Sequence, residues 1–215
     1  FCEIHKSNIK KKIKNIGKFD FIYVNTLLCS ANKLGPRAHL WTDTEKFLYE
    51  KKIIKIFGKL DKSFLFKLYP EQYYPDPYLI EKEVRKCKNI FYFNKQYNLK
   101  YLYPHYDIII TQQISSTLTT CFFSKKPIIY INLPSFSSFR KKEFFNDFSK
   151  SFLVLNGESK NFSIEFSLLL KKNKSELIRI WEKKKNNRDD FLQKYFDTTK
   201  ISSSEIAFNY IKELQ

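Results

Sequence analysis

Ser115, Ser116 and Thr117 stand together within the stretch Asp107 to Ile131, between two apolar β-branched runs. Ser and Thr are favoured helix N-caps, and one hydroxyl is enough to cap a helix. Three in a row where a buried strand gives way to a helix leave two hydroxyls for another task. Free backbone N–H groups and the positive end of a helix dipole meet at such a junction, so the chemistry it suits is reception of a phosphate. Simple capping by a chance triplet in a Ser-rich chain is the competing reading, and the triplet alone does not separate the two. In "GPRAHLW", Arg37 and His39 could bind phosphate or act in catalysis; an ordinary loop histidine is the plainer reading. His105, beside Asp107, reads as a surface or capping residue.

Other chemistries are excluded more firmly. No Ser/His/Asp or Cys/His grouping is local enough for nucleophilic catalysis. Four glycines in the whole chain, none at the required spacing, exclude a GxGxxG nucleotide site, and no Walker-type loop is present. Cys2, Cys29, Cys87 and Cys121 are far apart, without a CxxC pair or a histidine at metal spacing. They read as free thiols of a reducing compartment, and no metal site is expected.

The elements that must position the hydroxyls follow from alternation. Strands are expected at Phe19 to Asn25, Phe64 to Leu68, Asn89 to Phe93, Asp107 to Ile110, Pro127 to Ile131 and Phe152 to Leu155. Each is short and uniformly apolar, as a parallel strand covered on both faces must be. Helical patterns lie between them: Thr42 to Gly58 (with Phe47, Leu48, Ile54 and Phe57 on one side), Asp76 to Cys87, Gln96 to Tyr103, Ser115 to Ser124 and Ser138 to Lys150. Repeated strand, helix, strand order predicts an α/β fold, a Rossmann-like doubly wound parallel sheet of about six strands. Beyond Leu155, Asn161 to Lys171, Ser175 to Tyr195 and Ser202 to Leu214 read as a C-terminal helical appendage, with Asn186 to Asp190 a polar interruption or a wet face. Residues 1–18, with the basic cluster Lys10 to Lys14, read as a linker or the remnant of a preceding domain. The Rossmann-like domain is expected over 19–174 and the C-terminal helices over 175–215, packed on it or reaching back from it.

Ligands of open parallel sheets bind beyond the carboxyl ends of the strands. There the loops hold Asn25 and Thr26, Lys67 to Pro70, Asn94 and Lys95, Thr111 to Thr117, Asn132 to Pro134, and Asn156 and Gly157. Lys67 and Lys95 are the cations of this edge.

The chain has 215 residues and a net charge of +17, but only five of its 39 basic residues are Arg. Lys in excess, alongside abundant Asn, Ile, Phe and Tyr, is what a low-GC coding sequence produces, so the charge by itself does not specify nucleic acid. It could equally serve anionic substrates or a negatively charged membrane face. Aromatic clusters at "FLFKLYPEQYYPDPY" and "FFNDF" could stack bases or touch lipid carriers, though such residues more often fill core. No apolar run reaches the roughly 20 residues that cross a bilayer.

An Asp-initiated apolar strand, a short polar loop, Ser-Ser-Thr opening a helix, and Lys-Pro leading the next strand resemble the C-terminal half of GT-B fold glycosyltransferases. The likeness is to the CDP-glycerol glycerophosphotransferase family and related bacterial surface-carbohydrate transferases. "FIYVNT" (Phe21 to Thr26), "FKLYP" (Phe66 to Pro70), "LKYLYPHYDIIIT" (Leu99 to Thr111) and "KKPIIYI" (Lys125 to Ile131) occur in the family's order, covering about Phe19 to Asn156. The resemblance implies that Ser115, Ser116, Thr117 and Lys67 hold a donor pyrophosphate, with Asn94, Lys95 and Gln113 beside the base or ribose and Thr26 a further possible contact. Tyr69 stands where the family has His, and Leu118, Thr119 and Thr120 occupy the stretch where an acidic residue often follows the Ser-Ser motif. The resemblance further implies a metal-independent transferase without cofactor. It would work in the cytoplasm, free or peripherally at the inner face of the membrane, on a nucleotide-diphosphate donor and a capsule, teichoic-acid-like or lipid-linked acceptor. The catalytic base would lie in an N-terminal Rossmann-like partner domain. A basic nucleic-acid-binding module and a catalytically degenerate interaction domain are the rival readings.

Overall fold

A computed structural model describes residues 16–25, 41–67, 78–93, 97–112, 116–135 and 141–196. Six strands form one sheet: β1 (Phe19–Val24), β2 (Phe64–Lys67), β3 (Ile90–Phe93), β4 (Tyr106–Thr111), β5 (Ile128–Asn132) and β6 (Leu153–Asn156). All pairings are parallel, in the order β3-β2-β1-β4-β5-β6. The fold is Rossmann-like α/β, as the alternation predicts.

Period-2 alternation of apolar side chains divides the core between the two faces of the sheet. Phe21, Tyr23, Phe64, Phe66, Ile108, Ile110, Ile129 and Ile131 face one layer. That layer is built from α1 (Asp43–Phe57), α2 (Tyr78–Arg85) and α5 (Phe162–Lys171). Ile22, Leu65, Ile109, Ile128 and Tyr130 face the other. It is built from a 3-10 helix (Leu99–His105), α3 (Ser116–Phe122), α4 (Lys142–Ser151) and α7 (Lys185–Phe196). Helix α6 (Lys174–Glu182) spans both, placing Leu177 in the first cluster and Trp181 in the second. The described part of the two aromatic clusters fills core, the more frequent role of such residues: Phe64, Phe66 and Phe148 are fully buried, while residues 68–77 lie outside the described residues.

Several sequence expectations need correction. The helical pattern at Gln96 to Tyr103 takes the form of a 3-10 helix over Leu99–His105, Gln96 itself lying outside the described residues. Pro104 inside it lacks an N–H, and a proline disfavours helical dihedrals in the residue before it. Ser175 to Tyr195 is helical as expected, but its interruption falls between Glu182 and Lys185 and not at Asn186 to Asp190. Arg188 folds back there: its guanidinium stacks 3.7 Å from the Trp181 ring centroid and donates to the Trp181 carbonyl at 2.8 Å, capping an end the helix would otherwise extend. Asn186 to Asp190 therefore lies within α7, with Arg188 buried. Segments 1–15 and 197–215 fall outside the described residues.

The "KKP" turn also has a definite place. Lys125 takes a positive φ of 57°, and Lys126 donates from Nζ to the carbonyls of Tyr103, at 2.6 Å, and Tyr106. This clamp sits at the amino end of β5, on the edge of the sheet opposite the Ser-Ser-Thr segment. Within this chain the Lys-Pro element shapes the fold and does not reach the ligand edge.

At the carboxyl edge, Gly157 follows β6 and its N–H donates to the Asn132 carbonyl at 2.8 Å. A Cβ here would lie 2.5 Å from Leu133 Cδ2 and Tyr49 Oη, and 2.6 Å from Ile131 Cγ2. Gly157→Ala is expected to lower the unfolding free energy by about 1–3 kcal/mol, since the packed neighbours must shift. Urea denaturation measures this; an unchanged midpoint would show the contact to be loose.

Candidate functional site at the switch between β1 and β4

The chain runs from β1 to β2 and β3 on one side, then returns across β1 to place β4 on its other side. Connections thus leave β1 and β4 in opposite directions, the topology at which doubly wound sheets take ligands beyond the carboxyl ends of their strands.

One row of the sheet carries the candidate residues to this edge. Val24 pairs with Lys67 on β2 and with Thr111 on β4. At about 4.8 Å between strands, Lys67 and Thr111 stand about 10 Å apart across the end of β1. Lys67 ends β2, is buried, and holds its ammonium 5.9 Å from the Phe93 ring centroid. Burial lowers its pKa to about 8. Phe93 belongs to the α3 layer, so Lys67 and the Ser-Ser-Thr helix share one side of the sheet. Helix α3 opens at Ser116, with Thr117 half-buried in its first turn. Its seven residues give a weak dipole, so the hydroxyls carry the anion-binding reading. Thr26, Arg37, His39, Tyr69, Asn94, Lys95, Gln113 and Ser115 lie outside the described residues. Chain connectivity alone holds Gln113 and Ser115 next to Gln112 and Ser116.

A buried polar quartet occupies the other side of the sheet at the same switch point. Tyr23 donates its hydroxyl to Glu50 Oε2 at 2.7 Å. Gln112 donates Nε2–H to the Tyr23 hydroxyl at 2.7 Å and to Glu50 Oε1 at 2.5 Å. Lys46 Nζ lies 2.7 Å from Glu50 Oε1. Glu50 and Gln112 are 0% exposed and Lys46 is 2% exposed. Strand β1, the first two turns of α1 and the end of β4 are thereby tied together where they meet.

Electrostatics favour a scaffold over a proton-transfer device. Burial, reinforced by Glu50, raises the Tyr23 pKa well above its usual value and keeps the phenol neutral. Burial lowers the Lys46 pKa, opposed by the Glu50 charge. Both Glu50 oxygens are engaged and neither meets solvent. Gln112 Oε1, however, is buried and has no hydrogen-bond partner. Tyr49, one position before Glu50, likewise buries a hydroxyl without a partner, against Gly157. On the rim, Ser135 donates to Glu158 from its N–H and its hydroxyl, both at 2.7 Å, joining the loops after β5 and β6.

None of Tyr23, Lys46, Glu50 and Gln112 stands out in the sequence as a candidate site residue. A readable signal exists nonetheless. The stripe Ile53, Ile54 and Phe57, extended two turns toward the N-terminus, arrives at Lys46, Tyr49 and Glu50. The sequence reading places Leu48 on the buried face; it is 57% exposed. His105 lies away from this edge, its ring Nδ1 2.8 Å from the Gly17 carbonyl, in keeping with a surface role. Among the described residues no group of His, Cys, Asp and Glu could hold a metal ion, and no helix is long and apolar enough to cross a membrane.

No family model matches the chain, and no curated protein does. Among solved structures it is similar to one described as the glycotransferase of kitacinnamycin, with a TM-score of 0.40 and 8% sequence identity. The match covers 82% of this chain and 42% of that one, so the chain spans less than half of that protein's length.

Proposed function

We propose that this domain binds the diphosphate of a nucleotide-activated donor. It would be the donor half of a transferase that moves a sugar or polyol phosphate to a surface-glycan, teichoic-acid-like or lipid-linked acceptor. One observation carries the reading: the order of connections reverses between β1 and β4, at the point where the chain enters the Ser115–Thr117 segment. Supporting it are Lys67 on the same side of the sheet as α3 and the resemblance of the strand, Ser-Ser-Thr and Lys-Pro order to donor-binding halves of GT-B enzymes.

Ser115, Ser116 and Thr117 would donate to diphosphate oxygens, and Lys67 would offset their charge. A leaving diphosphate stabilised in this way needs only donors fixed in advance where negative charge develops. Asn94, Lys95 and Gln113 would face the nucleoside. The catalytic base and the acceptor would come from a partner domain, so this chain alone binds donor and transfers nothing.

Trp41 precedes α1 at the same edge, its ring 5.4 Å from that of Tyr49, so its fluorescence can report occupancy. Titration with CDP and with UDP, followed by calorimetry and by Trp41 emission, is expected to show weak saturable binding. Ser115→Ala/Ser116→Ala is expected to weaken it about tenfold, the effect of losing one or two hydrogen bonds to a charged group. Undiminished affinity in the double variant removes the pyrophosphate role. Retention of oligonucleotides that falls steeply with salt, without nucleotide binding, replaces this reading with the nucleic-acid one.

A further inference from the structure

Lysines gather at the amino ends of the strands, the edge opposite the candidate donor site. Lys18, Lys62, Lys88, Lys126 and Lys150 stand just before β1, β2, β3, β5 and β6. Two carboxylates of this edge are drawn inward. Asp20 accepts from the N–H and the hydroxyl of Ser63, and Asp107 pairs with Lys174 at 2.8 Å and with Lys18 at 3.7 Å. Helix α6 runs along the same edge, from Lys174 beside β4 to Trp181, whose ring is 5.8 Å from that of Phe152 before β6. Leu177 and Trp181 are buried in the two core layers, so the exposed Ile178 and Arg179 on the other side of α6 face away from the sheet.

Helix α5 ends at this edge and joins α6 through Lys172 and Asn173. Its solvent side is aliphatic: Ile164 and Leu168, one turn apart, are 63% and 59% exposed. Ile178 on α6 is 37% exposed. Leu168 stands one turn before Lys171, and Ile178 one turn after Lys174. The corner between the helices therefore shows water large aliphatic side chains on both sides of Lys171, Lys172 and Lys174. Lys172 and Lys174 have carboxylate partners in Glu176 and Asp107. Lys171 and Arg179 have none among the described residues, and both are exposed.

We infer that the corner between α5 and α6 is a docking surface for an anionic bilayer, with Lys171 and Arg179 meeting lipid headgroups while Leu168 and Ile178 enter the boundary with the acyl chains. Aliphatic groups bordered by cations are what an interfacial surface requires, because apolar burial and attraction to anionic lipid then add. Charge decides the occupant. A second copy of the chain would set lysines against lysines, which opposes association. A single-stranded nucleic acid binds on aromatic rings that stack its bases, whereas the exposed apolar groups here are Leu and Ile. The inference is independent of the donor reading, since it uses the opposite edge of the sheet and none of the same residues.

The experiment floats the full chain with vesicles of phosphatidylcholine alone and of equal parts phosphatidylcholine and phosphatidylglycerol. Wild type is expected to rise with the anionic vesicles and not with the neutral ones. Leu168→Ser/Ile178→Ser should weaken that binding about tenfold by withdrawing the aliphatic contribution. Lys171→Gln/Arg179→Gln should weaken it about thirtyfold, the effect of two cations at a charged membrane surface. Lys100→Gln/Lys142→Gln removes the same charge from the 3-10 helix and α4, on the other side of the sheet, and should change binding by no more than about twofold. All six positions are solvent-exposed, so thermal melting should match wild type and loss of fold cannot imitate loss of docking. No binding to anionic vesicles overturns the inference. So does an equal loss in Lys100→Gln/Lys142→Gln, which would make the attraction one of net charge, or undiminished binding in Leu168→Ser/Ile178→Ser. A dimer that Leu168→Ser/Ile178→Ser dissociates, without vesicle binding, gives the surface to a second copy instead. Oligonucleotide retention that Lys171→Gln/Arg179→Gln abolishes, without vesicle binding, gives it to nucleic acid.

Discussion

Lys46→Met is expected to lower the unfolding free energy by about 3–5 kcal/mol, because it leaves the Glu50 charge buried without its counter-ion. That is a large part of the roughly 5–15 kcal/mol that holds a domain together. Lys46→Met/Glu50→Met should recover most of the loss: Tyr23 and Gln112 can then satisfy one another, and two thioether side chains fill the space. The reason lies in solvation. Lys46 and Glu50 are 2.7 Å apart and shielded from water, so their attraction offsets a desolvation cost that neither bears alone. Guanidinium denaturation of both single variants and the double gives the coupling energy directly. A loss below about 1 kcal/mol in Lys46→Met, the range of exposed pairs, would mean that water reaches the pair.

Lys67 sets the second large effect, and it depends on pH. Burial holds its folded-state pKa at about 8, against 10.5 for a free lysine. Between those values the unfolded chain carries the proton and the folded chain does not. Unfolded chain therefore binds more protons, and stability rises as pH increases through this window. The gain between pH 8 and 10.5 amounts to about 3 kcal/mol. Because other lysines and tyrosines titrate there too, the quantity to measure is the difference between wild type and Lys67→Met. The gap should favour the variant at pH 7 and close toward pH 10.5. Ligand binding runs the other way. A diphosphate needs the ammonium, so affinity is full below pH 8 and falls by up to about tenfold by pH 9, whereas Lys67→Met binds weakly with no such slope. A wild-type affinity flat from pH 7 to pH 9 would separate Lys67 from the anion.

The strands are legible because parallel strands covered on both faces admit little besides Ile, Val, Phe, Leu and Tyr, and Phe64 to Lys67 or Ile128 to Asn132 fits no exposed element. Their order in the sheet is not legible from any strand. The capping box of α1 is written plainly, with Thr42 and Glu45 three apart, and the structure shows both halves of it. The quartet eluded the sequence for a specific reason. Lys46 and Glu50 have the i, i+4 spacing of an ordinary solvent-facing helix pair, and their remaining partners are 27 and 62 residues from Glu50. Nothing local distinguishes a buried pair from an exposed one. The candidate anion site was legible in the opposite way. Its hydroxyls announce themselves in sequence, while the row that brings Lys67 level with Thr111 exists only once β1 separates their strands.

The reversal of chain direction at β1 has a consequence for biosynthesis. During translation β1, β2 and β3 emerge first and can pair, leaving one side of β1 with its backbone N–H and C=O groups open until β4 is made. Tyr23 and Gln112, which close the gap, are 89 residues apart. At elongation rates of about 5–20 residues per second, that interval lasts several seconds. For its duration the nascent chain displays a Phe- and Ile-rich template to which another copy can add a strand. The middle of the finished sheet, its best protected part, is thus the most hazardous surface of the growing polypeptide.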